Sequence, residues 1–243
     1  MSQHVGGAPA PLLDVDHVDQ IPDALRAAGL DTGRAVVVIV GGAKGMSDDD
    51  LRAVGAVMRS GLVPAIARHG AVVVDGGTDS GVMRLIGQAR SATGAEFPLV
   101  GVAATGTVEI PGRETVSSDA APLEPHHTLF VLVPGDEWGD EAPWIGHVAA
   151  ALAGGQPSVT VLINGGQIAY SDAEHSIEQG RPLVILGGTG RTADAIAAAA
   201  DPRAAEIAAS ELTTVVPVAE PGEMDKAVDA VLGGAVHREV NHR

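Results

Sequence analysis

From Ala35 onwards, short apolar runs bounded by glycine alternate with longer segments of helical spacing, the pattern expected of repeated βαβ units. The runs Ala35–Val40, Ala71–Asp75, Leu99–Ala103, Thr128–Val133, Val159–Ile163 and Leu183–Leu186 are predicted strands, with a further one at Thr213–Val218. Between them, helical spacing covers a segment from Ser47 to about Arg68, then 82–92, 143–153, 171–179, 192–200 and 223–232. Ser47 reads as an N-cap, followed by Asp48, Asp49 and Asp50 in a first turn where the helix dipole favours negative charge. The turn-rich stretch 104–125 is long for a compact domain and suggests a functional loop or an ordered flap. Ahead of the first strand, residues 1–33 hold Gly6-Gly7, several prolines and one short amphipathic stretch, Ile21–Leu30, and are expected to be a mobile lead-in. The remainder, 34–243, is expected to form one α/β domain with a doubly wound, mainly parallel sheet flanked by helices.

Composition narrows this picture. Only two Trp, one Tyr and two Phe occur, so the core must be built from Val, Ile, Leu and Ala, which suits a parallel sheet covered on both faces. Fifteen Lys plus Arg against 31 Asp plus Glu give a formal charge of −16, which argues against nucleic acid or an anionic membrane as partner. There is no Cys, so disulfides, thiolate metal sites and a Cys nucleophile are excluded. Met1 to Pro11 has neither the basic nor the apolar region of a signal peptide, and no apolar run is long enough to span a membrane, so a cytoplasmic protein is expected.

Four predicted strands end in a Gly-Gly pair, at 41–42, 76–77, 165–166 and 187–188. In an open parallel sheet the carboxyl ends of the strands form the ligand crevice, and glycine there lets backbone N–H groups approach a phosphate. A single such pair is commonly a tight turn; repetition at the same structural point favours a binding role. Common alternatives fail. No Gly-x-x-x-x-Gly-Lys-Ser/Thr loop, Gly-x-Ser-x-Gly elbow or His-Glu-x-x-His zinc site is present, and no metal ligand set can be assembled. Gly188-x-Gly190-x-x-Ala193 meets only the looser dinucleotide fingerprint, without the acid expected at a second strand end.

In order along the chain come Gly41-Gly42-Ala43-Lys44, Gly76-Gly77-Thr78-x-x-Gly81-Val82-Met83, Leu123-Glu124-Pro125-His126-His127-x-x-Phe130-Val131-Leu132-Val133, and Gly187-x-x-Gly190-Arg191-x-Ala193-Asp194. This series resembles the cytosolic N-terminal domain of melastatin-type TRP channels, within the SLOG superfamily, and its stand-alone prokaryotic relatives, the LSDAT family. The resemblance covers about residues 35–200. It implies a Rossmann-like sheet that binds a nucleotide-derived ligand, ADP-ribose-like or a nucleoside phosphate. The same superfamily contains the LOG phosphoribohydrolases with their Pro-Gly-Gly-x-Gly-Thr-x-x-Glu motif. Here the corresponding segment is Asn164-Gly165-Gly166-Gln167-Ile168-Ala169-Tyr170-Ser171-Asp172, which lacks the third Gly and the Thr and shortens the Glu to Asp172. Binding is therefore favoured over hydrolysis, and a nucleotide-processing hydrolase is the alternative.

The candidate binding set is Gly41, Gly42, Lys44, Gly76, Gly77, Thr78, Ser80, Gly81, His127, Gly165, Gly166, Gln167, Gly188, Thr189, Gly190 and Arg191; candidate acids are Glu124, Asp172 and Asp194. The Arg191 guanidinium suits a diphosphate fork, or an ion pair with Asp194. Lys44 has the same choice between a phosphate and the nearby Asp residues. Thr78 and Ser80 suit either phosphate donation or the N-cap of the following helix. Glu124, His126 and His127 read either as a polar cluster beside the crevice or as a turn fixed by Pro125. Trp138, Trp144 and Tyr170 are the side chains available to stack a base, or else packing groups. No cofactor is certain, and a homodimer or an unidentified effector protein stays open as the partner.

Overall fold

The computed structural model describes residues 10–42, 45–110, 112–115 and 117–234. Lys44 and the first nine residues of the lead-in lie outside this range. The lead-in from Leu12 onwards is not loose. Leu12–Asp14 forms β1, and Ile21–Ala27 forms α1, whose Ile21 and Leu25 are fully buried together with Val15. The expectation of a mobile segment is corrected for residues 10–33, because their apolar positions pack into the core instead of remaining solvated.

The first glycine-bounded run forms β2 (Val36–Gly41). The segment read as one helix is α2 (Asp48–Val57), a π-turn (Met58–Leu62) and α3 (Val63–His69). Pro64 has no N–H to offer the Ser60 carbonyl one turn back, so the helical ladder widens where it approaches that residue. There follow β3 (Val72–Asp75), α4 (Gly81–Thr93) and β4 (Leu99–Ala104). The turn-rich stretch contributes only a two-residue pairing of β5 (Val108–Glu109) with β6 (Ala121–Pro122). β7 (Leu129–Val133), α5 (Ala142–Ala153), β8 (Ser158–Ile163) and α6 (Gln167–Glu178) come next. The chain closes with β9 (Leu183–Gly187), α7 (Arg191–Ala197), α8 (Pro202–Ala208), β10 (Thr213–Pro217) and α9 (Pro221–Gly233).

The main sheet has eight strands in the order β1-β7-β4-β3-β2-β8-β9-β10, and every pairing is parallel. Its central strands read as uninterrupted Val and Ile because both faces are covered. Val36, Val38 and Val40 meet α1, α5 and α6 on one face, while Val37 and Ile39 meet α2, α3, α4 and α9 on the other. From β2 the chain winds outward through β3, β4 and β7, then returns to place β8 on the opposite flank of β2 and winds the other way. The strand order thus reverses between β2 and β8, where neighbouring loops diverge and leave a crevice above the strand carboxyl ends.

Candidate functional site

A cavity of about 420 Å3 occupies that crevice. Gly41 and Gly42 from the end of β2, Gly76, Thr78 and Ser80 after β3, and Gly166 and Gln167 at the start of α6 line it. Trp138, Glu141, Ala142 and Ile145 close one side from the α5 region, and Ile168, Asp172 and Arg191 contribute further walls. The close approach of β2 and β8 requires glycine at 41, since a Cβ there would stand 2.0 Å from the Ile163 carbonyl oxygen. α6 begins at Gln167, four residues before the sequence-based boundary, so its N-terminal turn opens directly on the cavity. The positive end of that helix dipole suits an anion.

Arg191 crosses the same region. Its guanidinium lies between two glycines of flanking loops: a Cβ at Gly45 would be 3.2 Å from one terminal nitrogen, and a Cβ at Gly166 would be 2.9 Å from the other. Arg191 has φ of 54° and Asn164, at the end of β8, has φ of 58°; non-glycine residues in this left-handed region concentrate at functional sites. Asn164 is buried, donates from Nδ2 to the Thr189 carbonyl at 2.5 Å and donates from its backbone N–H to the Thr189 hydroxyl oxygen at 2.9 Å. This ties the β8 loop to the β9 loop. Its Oδ1 is buried and has no hydrogen-bond partner among the described residues.

The loop after β3 is anchored from beneath by charge. His127 has a side chain with no solvent exposure; its Nε2 lies 2.8 Å from Asp75 Oδ1 and its Nδ1 lies 2.8 Å from Glu124 Oε2. Asp75 Oδ1 also accepts from the Gly77 N–H at 2.8 Å, and the Glu124 N–H donates to the Gly77 carbonyl at 2.9 Å. Burial opposes a charge on His127, but the flanking carboxylates of Asp75 and Glu124 outweigh it and lift the imidazole to about 9. Burial likewise pushes Glu124 up, yet hydrogen bonds from His127 and His126 hold it below the ordinary carboxylate range. The imidazolium and its two carboxylates therefore fix the turn that presents Thr78 and Ser80, whose hydroxyl oxygens are 3.0 Å apart on the cavity wall.

The opposite wall is acidic and apolar. Glu141 accepts from the Gly139 N–H at 3.0 Å, and burial raises its carboxyl. Asp172 is pushed up to about 7, by burial and then by the Glu141 charge, and no group among the described residues donates a hydrogen bond to it. Trp138 donates from its indole nitrogen to Asp119 Oδ2 at 3.0 Å, which sets the ring against the cavity.

Of the residues singled out in the sequence, Gly41, Gly42, Gly76, Thr78, Ser80, Gly166, Gln167, Asp172 and Arg191 converge on the cavity. Gly77, Gly165, Gly188, Thr189 and Gly190 lie behind it, shaping the loops, and Gly81 opens α4 on the neighbouring groove. His127 and Glu124 are enclosed beneath the β3 loop, too deep to meet a ligand there. Asp194 is turned to its own loop, accepting from Gly188 N–H at 2.7 Å and Thr189 N–H at 3.2 Å, so it does not reach the cavity as an acid. Among the aromatics only Trp138 lines the site. Trp144 packs against the core, and Tyr170 is buried under the Arg203 guanidinium and donates to Asp201 at 2.9 Å. Glu141, Asn164 and Asp75 join the site without belonging to the candidate set. Asn164-Gly165-Gly166 carries a local signal, since Asn tolerates a left-handed turn, whereas Asp75 and Glu141 have none.

A doubly wound α/β sheet with a glycine-lined, cation-bearing cavity at its switch point defines a Rossmann-like domain of the ligand-binding or sensing class. The chain belongs to the prokaryotic LSDAT family, described as SLOG in TRPM, whose pattern it matches over residues 34–226. It is similar to transient receptor potential cation channel subfamily M member 2 of Mus musculus, with 29% identity over 217 residues, 75% of this chain and 14% of the channel. The Rattus norvegicus counterpart is 28% identical over 222 residues, 76% of this chain and 14% of its own. A subfamily M member-like 2 protein of Nematostella vectensis is 25% identical over 210 residues, 71% of this chain and 13% of its own. The chain thus corresponds to a small part of each of these channels. No helix among the described residues is long and apolar enough to cross a membrane.

Proposed function

We propose that this chain is a binding or sensing domain for a small phosphorylated, nucleotide-derived ligand, ADP-ribose-like or a nucleoside phosphate, held in the switch-point cavity. The observation that carries this reading is the Arg191 guanidinium, bracketed by Gly45 and Gly166 on the wall that the N-terminus of α6 also faces. A guanidinium fork beside open backbone N–H groups suits a phosphate more than any neutral group. Trp138 and Ile168 offer the apolar surface for a base, and Asp172 offers an acceptor for a ribose hydroxyl. This solves the difficulty of a chain with net charge −16 taking up an anion: the ligand is small and meets a local cation and backbone dipoles rather than the overall field. A cytoplasmic setting, with a second copy or an effector protein reading the bound state, is part of the same reading.

One observation favours a second reading. Asp172 stands on the cavity wall with its carboxyl near 7, the range suited to a general acid or base, as a nucleotide-processing hydrolase requires. A thermal-shift screen of nucleosides, nucleotides and ADP-ribose derivatives, with chromatography of every hit after incubation, separates the two. A stabilising ligand recovered intact supports the sensor; at about 100 times its dissociation constant it adds roughly 2.7 kcal/mol. A hit that is cleaved by the native chain but not by Asp172→Asn establishes the hydrolase, and a screen in which nothing shifts the transition refutes both.

A further inference from the structure

A larger groove, of about 790 Å3, runs between α2 and α4 and meets the cavity at Ser80, which lines both. Arg52, Arg59 and Arg84 line it over a partly apolar floor that includes Leu51 and Leu85. The chain has 15 basic residues against 31 acidic ones, and three of the 15 meet on this one groove. We propose that this groove is an anion subsite that receives a phosphoryl group next to the cavity, so that the two together take a ligand with more than one phosphoryl group. The proposal rests on the cavity reading for the identity of that ligand, but the groove's own affinity for a phosphoryl anion is separable from it.

Three features make this a built site. Arg59 projects from the π-turn, and among the described residues no carboxylate lies within ion-pair distance of it. Its guanidinium is laid back over Gly55 of α2, where a Cβ would stand 3.2 Å from the terminal nitrogen and 3.7 Å from Leu85 Cδ2. A glycine in the middle of α2 is otherwise unfavourable relative to alanine, and here it leaves the room that lets the cation lie in the groove. The other two arginines have acids: the Arg52–Asp49 pair is solvent-exposed and of the kind that contributes little, while Arg84 donates to Asp79 Oδ1 at 2.6 Å and to the Asp79 carbonyl, so that a phosphoryl oxygen would replace the carboxylate there and leave the carbonyl contact in place. Finally, Ser80 and Gly81 bring the N-terminus of the 13-residue α4 to the same groove, where its dipole adds to the guanidinium charge. Asp48, Asp49 and Asp50 do not line it.

Calorimetric titration of the full chain tests the assignment with ADP, AMP and inorganic pyrophosphate as probes, comparing the native chain with the double variant Arg59→Gln/Arg84→Gln. Removing charged hydrogen-bond donors is expected to weaken ADP binding by about tenfold or more, while AMP, confined to the cavity, changes by less than about twofold. An ADP-to-AMP preference that survives the double substitution overturns the subsite. If neither nucleotide binds the native chain, the cavity reading falls and pyrophosphate alone decides: binding that the double variant loses sustains the groove, and binding that is equal or absent overturns it. A glutamate-rich peptide that binds the native chain where pyrophosphate does not also overturns it, assigning the groove to an acidic protein segment.

Discussion

The charged group beneath the β3 loop yields the sharpest energetic expectation. Replacing His127 by Gln keeps a polar side chain of similar length but removes the positive charge between Asp75 and Glu124, whose side chains are 0% and 1% exposed. The native imidazole titrates at about 9 against an ordinary 6.5, and at 1.36 kcal/mol per pH unit this coupling is worth about 3 kcal/mol. Stranding two buried carboxylates adds to the loss, so His127→Gln is expected to cost about 3 to 5 kcal/mol, a large part of a total stability of about 5–15 kcal/mol. Urea unfolding followed by circular dichroism at pH 7 measures it. The sign with pH is fixed as well: a raised imidazole contributes fully below its ordinary value of 6.5, and its contribution is lost as pH rises through about 9. The native chain therefore loses stability across that alkaline window, and His127→Gln lacks that component. Because the three groups form one network, His127→Gln should cost at least about 1 kcal/mol less in an Asp75→Asn background than alone. A loss below about 1 kcal/mol, or an alkaline decline of the same size in both proteins, would refute an imidazolium at this position.

Two further substitutions probe the same geometry from other sides. Asp172→Asn is expected to stabilise the chain by about 4 kcal/mol at pH 8 and by less than about 1 kcal/mol at pH 4, because its carboxyl is raised from 3.8 to about 7 and the folded state resists losing that proton; thermal unfolding at the two pH values checks it, and equal shifts contradict it. Gly87→Ala, normally favourable within a helix, would here set a Cβ 2.3 Å from Glu124 Oε2. With that carboxylate pinned by His126 and His127, it should cost about 1–3 kcal/mol, read as a lowered Tm, whereas an unchanged or raised Tm would mean the carboxylate is free to yield.

The central strands were readable because each is a run of Val, Ile and Leu closed by glycine, a local pattern that burial on both faces imposes. β1 was not readable: three residues, Leu12–Asp14, are held by parallel pairing with β7, more than a hundred positions away, and nothing near them in the chain encodes that partner. The break in the helix at Met58–Leu62 is not legible from Pro64 alone, since proline early in a new helix and proline interrupting an old one look alike in sequence. In the site, the glycine loops and Arg191 were recognisable by position at strand ends. His127 sits in a motif that suits a ligand contact equally well, because its anchor Asp75 lies 52 residues away and a histidine held by so distant a carboxylate looks the same in sequence as one facing a cavity. Glu141 carries no motif; it matters only because α5 and α6 pack side by side and set it near Asp172.

The claim on which the functional reading depends is that a phosphorylated ligand is held at the switch point by Arg191. Calorimetric titration with adenosine, AMP and ADP-ribose, on the native chain and on Arg191→Gln, tests it most directly. Adenosine is expected not to bind, at least one phosphorylated ligand to bind measurably, and Arg191→Gln to lose that affinity by about tenfold or more with the unfolding midpoint little changed. Binding of adenosine as tight as its phosphorylated forms, or an affinity indifferent to Arg191→Gln, would contradict it.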